Sequence, residues 1–276
     1  MGGDSVHGAH AEPAGSLGAW AQRVLLARTL SGKLDPGPLP LRAWDDGPLP
    51  APARPSRPEP LVVVERAPRT PRPGALVRAE ARARLLHLFF HHELQAAELF
   101  AWAVLALPDA EPRLRRGLAV IATEELRHAR LYAARVEELG LRLGAVGARD
   151  WFWERLASCS SSLAFVSLMG LGLEGGNLDH GTLWARRLEE AGDATSAALV
   201  REVARDEVRH VAFAARWFRR LTGGLDFDRW RAELPAPLTP GLMRGSELDH
   251  EARAAAGLDA EFLTALESWQ QAGPSS

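Results

Sequence analysis

The chain has 276 residues, 46% hydrophobic and 25% charged, with a formal net charge of −2. That length fits one large domain or two small ones, with a core able to bury most of the unfolded chain's surface. The weak charge argues against a nucleic acid or anionic membrane as partner, and the single cysteine, Cys159, excludes an intramolecular disulfide and a thiolate metal site.

Residues 1–15 read as a disordered tail without the basic start and apolar stretch of a signal peptide, which fits a reducing cytoplasm. No run of about 18 apolar residues occurs, so no membrane span is expected. Ser16 to Leu30, "SLGAWAQRVLLARTL", predicts a short amphipathic helix with Ser16 as N-cap. From Asp35 to Gly74 the chain holds twelve of its 19 prolines, a density that forbids helix interiors and central strands. "PLVVVER" is its one strand-like run. Leu39, Leu41, Trp44, Leu49 and Leu61–Val64 make this an arm that packs along the body rather than a free linker. Residues 16–74 thus form a helix and arm ahead of the main body.

Residues 75–221 form that body. Long helices are expected over about 75–107, 113–139, 151–190 and 196–221, joined by "PDAEP", "GLRLGAVGARD" and "AGDAT". Four such helices predict an all-α four-helix bundle. Residues 222–276 carry short helical pieces that dock on it as an appendage, with Ser246 and Asp259 as candidate caps.

The chemistry sits on the buried stripes. "EELRH" holds Glu125 and His128, and "DEVRH" holds Glu207 and His210. Residues three apart share a helix face, so each pair can hold one metal. Each pair is preceded, one helix earlier, by a glutamate on an apolar stripe. Glu93 precedes Glu125 by 32 residues, and Glu174 precedes Glu207 by 33. This internal repeat predicts four carboxylates and two imidazoles at one centre, the arrangement of di-iron and di-manganese carboxylate proteins. Two divalent cations would balance the four buried charges, and oxygen and imidazole donors suit iron or manganese. A third copy of the string, Glu247 and His250 in "ELDH", lacks a partner helix and reads as a surface coincidence.

Several neighbours have two readings. Glu98 rivals Glu93 from a more mixed stripe, and Asp179 is its repeat counterpart. Glu124 and Asp206 each lie four residues before the histidine of their helix. Each either accepts that imidazole's second N–H or faces solvent. Tyr132, one turn beyond His128, is either core or a hydrogen-bonding group beside the metals. His87, His91 and His92 surround the ligands or face the surface. Gly170, Gly172, Gly175, Gly176 and Gly181 around Glu174 signal either close helix packing or a local distortion, such as a π-bulge, that opens room beside the metals.

"LLHLFFHHELQAAELFAWAV", "EELRHARLYAARVEELG" and "RDEVRHVAFAARWF", with "RPSRPEPLVVVER" and "ELDHEARAAAGL", resemble a bacterial ferritin-like family known as domain of unknown function 455. The resemblance spans about residues 16–270. It implies a ferritin-like bundle with a di-metal site at Glu93, Glu125, His128, Glu174, Glu207 and His210. Where the family pattern reads Glu-Ala-Arg-Gly-Leu-Asp, this chain has "EGGNLD", so Gly175 and Gly176 replace Ala-Arg. The family is more distantly similar to a non-haem di-iron tRNA hydroxylase.

The expected function is a di-iron, or di-manganese, oxidoreductase. It would use dioxygen and an external electron donor to oxidise or hydroxylate a small organic substrate. Two other classes compete: a ferroxidase or iron-handling protein, and a metal-free scaffold. The arm and appendage favour the enzyme, since a storage bundle needs neither. The prior for quaternary structure is a homodimer paired through an outer helix face.

Overall fold

The computed structural model describes residues 15–40, 50–156 and 159–270. The expected tail up to Ala14, and Leu41, Trp44 and Leu49 of the arm, lie outside the described residues. The fold is all-helical, with one isolated parallel bridge, Val63 to Ala148, in place of a strand among the described residues. Pro58 and Pro60 lack the N–H donors that a ladder needs, so "PLVVVER" stops at that bridge. Among the described residues no helix is long and apolar enough to cross a membrane.

Helix α1 (Leu17–Leu26) starts where Ser16 accepts from the Ala19 N–H, and it buries Leu17, Trp20, Ala21, Val24 and Leu25. Helix α2 (Leu30–Leu34) is capped by Thr29 and carries the buried Lys33. The arm then runs back over the body. Ser56 N–H donates to the Leu25 carbonyl at 2.8 Å, and Leu61 is buried.

Helix α3 (Ala79–Ala106) is buried over most of its circumference, as expected of a central helix. Helix α4 (Pro112–Glu138) has proline in its first turn and stops at Gly140. There φ is 82°, and the Leu141 N–H donates back to the Val136 carbonyl. Helix α8 (Ala194–Thr222) starts at Asp193, which accepts from the Ser196 N–H, just after Gly192 with φ 81° has closed the preceding helix.

The third expected helix differs from its reading as a continuous element over 151–190. It is broken into α5 (Trp153–Leu156), α6 (Ser162–Phe165), a π-helical segment (Val166–Glu174) and α7 (Gly175–Glu190). The break falls in a serine run. Serine hydroxyls compete for backbone groups, and Ser161 caps α6 by accepting from the Ala164 N–H.

The appendage contributes α9 (Phe227–Ala232), a 3-10 turn (Pro240–Met243), α10 (His250–Ala255) and α11 (Ala260–Ser268). Asp259 caps α11 as expected, whereas Asp249, not Ser246, caps α10. Trp230 is fully buried and donates from Nε1 to the Ser167 carbonyl at 2.9 Å, pinning the appendage to the π segment.

Candidate metal centre

Antiparallel packing brings the middles of α3, α4, the π segment with α7, and α8 to one level. Along α3 and α4, Phe89 meets Tyr132, Glu93 meets His128, and the Val104 carbonyl accepts from Arg115. Along α4 and α8, Gly117 meets Phe213, Glu124 meets Arg209, and Arg135 meets Asp193. Gly170 and Gly181 lie against Ala214 and Ala204 of α8. In every pair one number rises as the other falls.

All six expected ligands are brought together and are buried. Glu93, Glu125, His128 and Glu207 can each offer one ligand atom within 4.8 Å of one another, and so can Glu125, Glu174, Glu207 and His210. Glu125 and Glu207 belong to both groups. Each half of the repeat therefore adds its own glutamate and histidine to a shared pair. His128 Nδ1 lies 3.5 Å from Glu93, 3.4 Å from Glu125 and 3.6 Å from Glu207. His210 Nδ1 lies 2.7 Å from Glu125 and 3.1 Å from Glu207.

The donor set fits metal. Both carboxylate oxygens of Glu125, one each of Glu174 and Glu207, and His128 Nδ1 are buried without a hydrogen-bond partner. Such atoms are costly unless something coordinates them. Among the described residues no arginine or lysine pairs with any of the four carboxylates. Without a cation, protons take over the balancing role. Burial holds Glu93 and Glu174 well above the usual carboxylate range. Burial alone would lower His128, but Glu125 and Glu93 push it up to about 11. Burial opposes the charge on Glu125, yet His210 and His128 hold it below the usual range. These buried Glu and His groups could hold a metal ion.

The supporting carboxylates are exchanged relative to the sequence expectation. Glu124 of α4 lies 2.7 Å from Nε2 of His210 on α8, and Asp206 of α8 lies 3.3 Å from Nε2 of His128 on α4. In an antiparallel pair, the residue one turn before each histidine comes level with the histidine opposite. Each Nε2 is thereby turned outward and each Nδ1 inward. Arg209 contacts both carboxylates, at 3.5 and 2.7 Å, and Arg127 pairs with Asp206.

Glu98 and Asp179 do not join the centre. Glu98 is fully buried in an ionic clamp, 2.8 Å from Lys33 and 2.5 Å from Arg57, and accepts from Trp153 Nε1 at 3.0 Å. Asp179 receives Arg253 in a two-point pair at 2.9 and 2.8 Å, together with the N–H groups of Gly245 and Asp249. One carboxylate fastens the N-terminal arm and the other the C-terminal appendage. Glu247 and His250 are exposed and pair elsewhere, with Arg186 and Glu267.

Tyr132 is buried, with its ring edge-on to Phe89 at 5.6 Å. Burial raises it well above its usual value, and Glu93, Glu207 and Glu125 add to the rise. His87 accepts from the Gly144 N–H at 3.1 Å and lies 4.8 Å from His91, ring to ring. His92 instead stacks on Phe152 at 5.2 Å.

The π segment ends on Glu174, so the distortion reading holds for the helix, and close packing accounts for part of the glycine content. A Cβ on Gly170 would collide with that of Ala214, and one on Gly172 would lie 2.9 Å from the Met243 sulfur. Gly176 and Gly181, the latter also packed on Ala204, line a cavity of about 370 Å³ whose walls include Glu93 and Glu207. Its other lining residues include His92, Asn177, His180, Trp151, Phe152 and Trp184. Of these, only His92 carries a sequence reading that sets it beside the ligands. Asn177 offered the one usable signal, since it lies one turn from Glu174, to which it donates at 3.2 Å.

A family model described as "Protein of unknown function (DUF455)" matches residues 20–264. No curated protein and no solved structure matches the chain.

Proposed function

The chain belongs to the DUF455 family of proteins of unknown function, and from that premise we propose that it is a ferritin-like, dinuclear, non-haem metal oxidoreductase. Two iron ions, with manganese as the alternative, are held by Glu93, Glu125, His128, Glu174, Glu207 and His210. The substrates are dioxygen and an organic molecule that occupies the cavity beside Glu93 and Glu207. The observation that carries this reading is that contact: an aromatic-lined cavity borders the buried cluster, and iron storage or scaffolding requires no such cavity.

Bound there, the metal supplies activation of dioxygen and a path for electrons. The protein's part is positioning. Glu125 and Glu207 are the shared carboxylates, with Glu93 and His128 completing one position and Glu174 and His210 the other. Asp206 and Glu124 accept the histidine Nε2 protons, which leaves each Nδ1 lone pair free for metal. Asn177 restrains Glu174 while facing the cavity. In hydroxylation, one oxygen atom enters a substrate C–H bond and the other leaves as water. The two electrons come from an external donor and the two protons from solvent.

The test is anaerobic loading with ferrous iron, followed by oxygen, with oxygen uptake measured with and without candidate substrates and a reductant. About two iron ions per chain, with uptake accelerated by a substrate, is the expected outcome. Iron loading far beyond that level would favour an iron-handling protein. Absence of any bound metal would leave the scaffold.

A further inference from the structure

The cavity's lining narrows the substrate. This step rests on the reading of the cavity as the substrate site. Two rows of rings form its walls. Phe89 meets Tyr132 at 5.6 Å and Trp184 at 6.3 Å, both edge to face. Phe152 stacks on His92 at 5.2 Å and meets Trp151 at 5.5 Å. Phe89 and His92 are three apart on α3 and so share a face, which brings both rows to one cavity. Each outer indole is held by a guanidinium, Arg187 at 4.9 Å from the Trp184 ring and Arg155 at 4.0 Å from that of Trp151.

Charge narrows it further. Among the described residues lining the cavity there is no lysine or arginine, and the only carboxylates are Glu93 and Glu207 of the cluster. Away from the metal positions themselves, a carboxylate or phosphate entering here would shed water and meet no lysine or arginine. Directional hydrogen bonds come from neutral-type groups, among them Asn177, His180 and Thr70. Aromatic walls favour ring faces and edges over flexible alkyl chains.

We propose that the cavity takes an uncharged, planar aromatic molecule bearing a hydroxyl or carbonyl group, and rejects carboxylates, phosphates and saturated rings of the same size. A volume of about 370 Å³ lies in the range of small-molecule sites and admits a fused bicyclic ring.

The experiment is calorimetric titration of the full chain with 2-naphthol, 2-naphthoate and decahydro-2-naphthol. These share a carbon skeleton and differ in charge or planarity. The result expected is 2-naphthol binding at least about tenfold tighter than either relative, since tenfold corresponds to one modest interaction. Trp184→Leu should weaken 2-naphthol about tenfold. His180 is exposed, so His180→Ala keeps the test available should the first variant not fold, and it should weaken 2-naphthol several-fold. Equal or tighter binding of 2-naphthoate or decahydro-2-naphthol overturns the proposal, as does 2-naphthol binding indifferent to both substitutions. The titration is repeated on chain stripped of metal. Binding that survives in a chain unable to hold iron leaves this inference standing and removes the oxidoreductase reading. A chain that holds iron but shows no preference among the three does the reverse.

Discussion

Glu124 on α4 supports His210 on α8, its carboxylate 2.7 Å from the imidazole Nε2. The mirrored contact joins Asp206 to His128 at 3.3 Å. The centre thus has a local two-fold relation, in which each Glu-x-x-His helix orients the other's imidazole. Glu124→Ala should therefore loosen the His210 side, and Asp206→Ala the His128 side. Each should cost about 10–100-fold in metal affinity, the usual effect of removing such a partner. Competition titration with a chelator measures this. Unchanged affinity in both variants would reduce the two carboxylates to surface charge.

Glu98 makes the opposite kind of prediction. It is buried with Lys33 and Arg57 and touches no ligand. Glu98→Leu leaves the Lys33 ammonium buried without its carboxylate, a loss of about 3–5 kcal/mol. Lys33→Met leaves Glu98 with Arg57 and Trp153 and should cost clearly less. Urea unfolding compares the two, and metal content should stay the same wherever the variant folds. A Glu98→Leu chain that loses metal while keeping its stability would return Glu98 to the centre.

These two carboxylate pairs mark how much the sequence allowed to be read. The ligands were legible because helical periodicity and a repeat of 32 and 33 residues act together. That Glu98 and Asp179 recur at the same offset was equally visible. What each one holds was not, because Lys33 and Arg253 sit on helices of five and six residues and Arg57 in the proline-rich arm, segments too short or irregular for periodicity to encode their path. The exchange of Glu124 and Asp206 was hidden for a related reason: spacing within one helix fixes the face but not the neighbour across the interface. The all-helical character and three of the four long helices followed from pattern, whereas the break at the serine run and the π segment depended on local competition and close packing.

The π segment depends on Gly170. A methyl group there would collide with Ala214 on α8, so Gly170→Ala must push the two elements apart. Overpacking of this kind costs about 1–3 kcal/mol. It also displaces Glu174, four residues on, so metal affinity should fall with stability. Gly176→Ala is the control: its Cβ would lie 3.5 Å from the Met243 carbonyl, an ordinary contact. Thermal melts and metal titrations of both variants decide the matter, and equal behaviour would show that the glycine at 170 is replaceable.

Acidity separates the metal-free and metal-loaded chains. Without metal, burial keeps Glu93 and Glu174 well above the carboxylate range, and Glu125 and Glu93 hold His128 up to about 11 despite its burial. A metal must displace those protons, so uptake should release them and affinity should rise with pH. For the metal-free chain the sign is reversed. The folded value of His128 lies above the ordinary imidazole value of 6.5. Its contribution to stability is therefore whole below that value and is lost as pH rises through about 11. Glu93 and Glu174, also raised, act in the same direction. Glu125, held low by the histidines, contributes above the usual carboxylate range and loses that contribution only as acid is added. Urea midpoints of the metal-free chain should fall as pH rises from about 7 towards 11, and loading with metal should abolish the fall. A metal-free midpoint that climbs over that interval would contradict the assignment of protons.

The sharpest test distinguishes shared from private ligands. Glu125 and Glu207 belong to both four-residue groups, while Glu93 and Glu174 each belong to one. Glu207→Ala removes an oxygen donor from both positions at once and leaves each with three protein ligands. Both positions should then lose metal. Glu93→Ala damages only the position with His128, so about one metal per chain should remain, beside Glu174 and His210. Glu174→Ala should be its mirror image, leaving the metal beside His128. Elemental analysis of purified variants, backed by native mass spectrometry, counts the ions directly. Two metals retained in Glu207→Ala, or none in Glu93→Ala with the fold intact, would mean that the two groups do not share their carboxylates as the geometry requires.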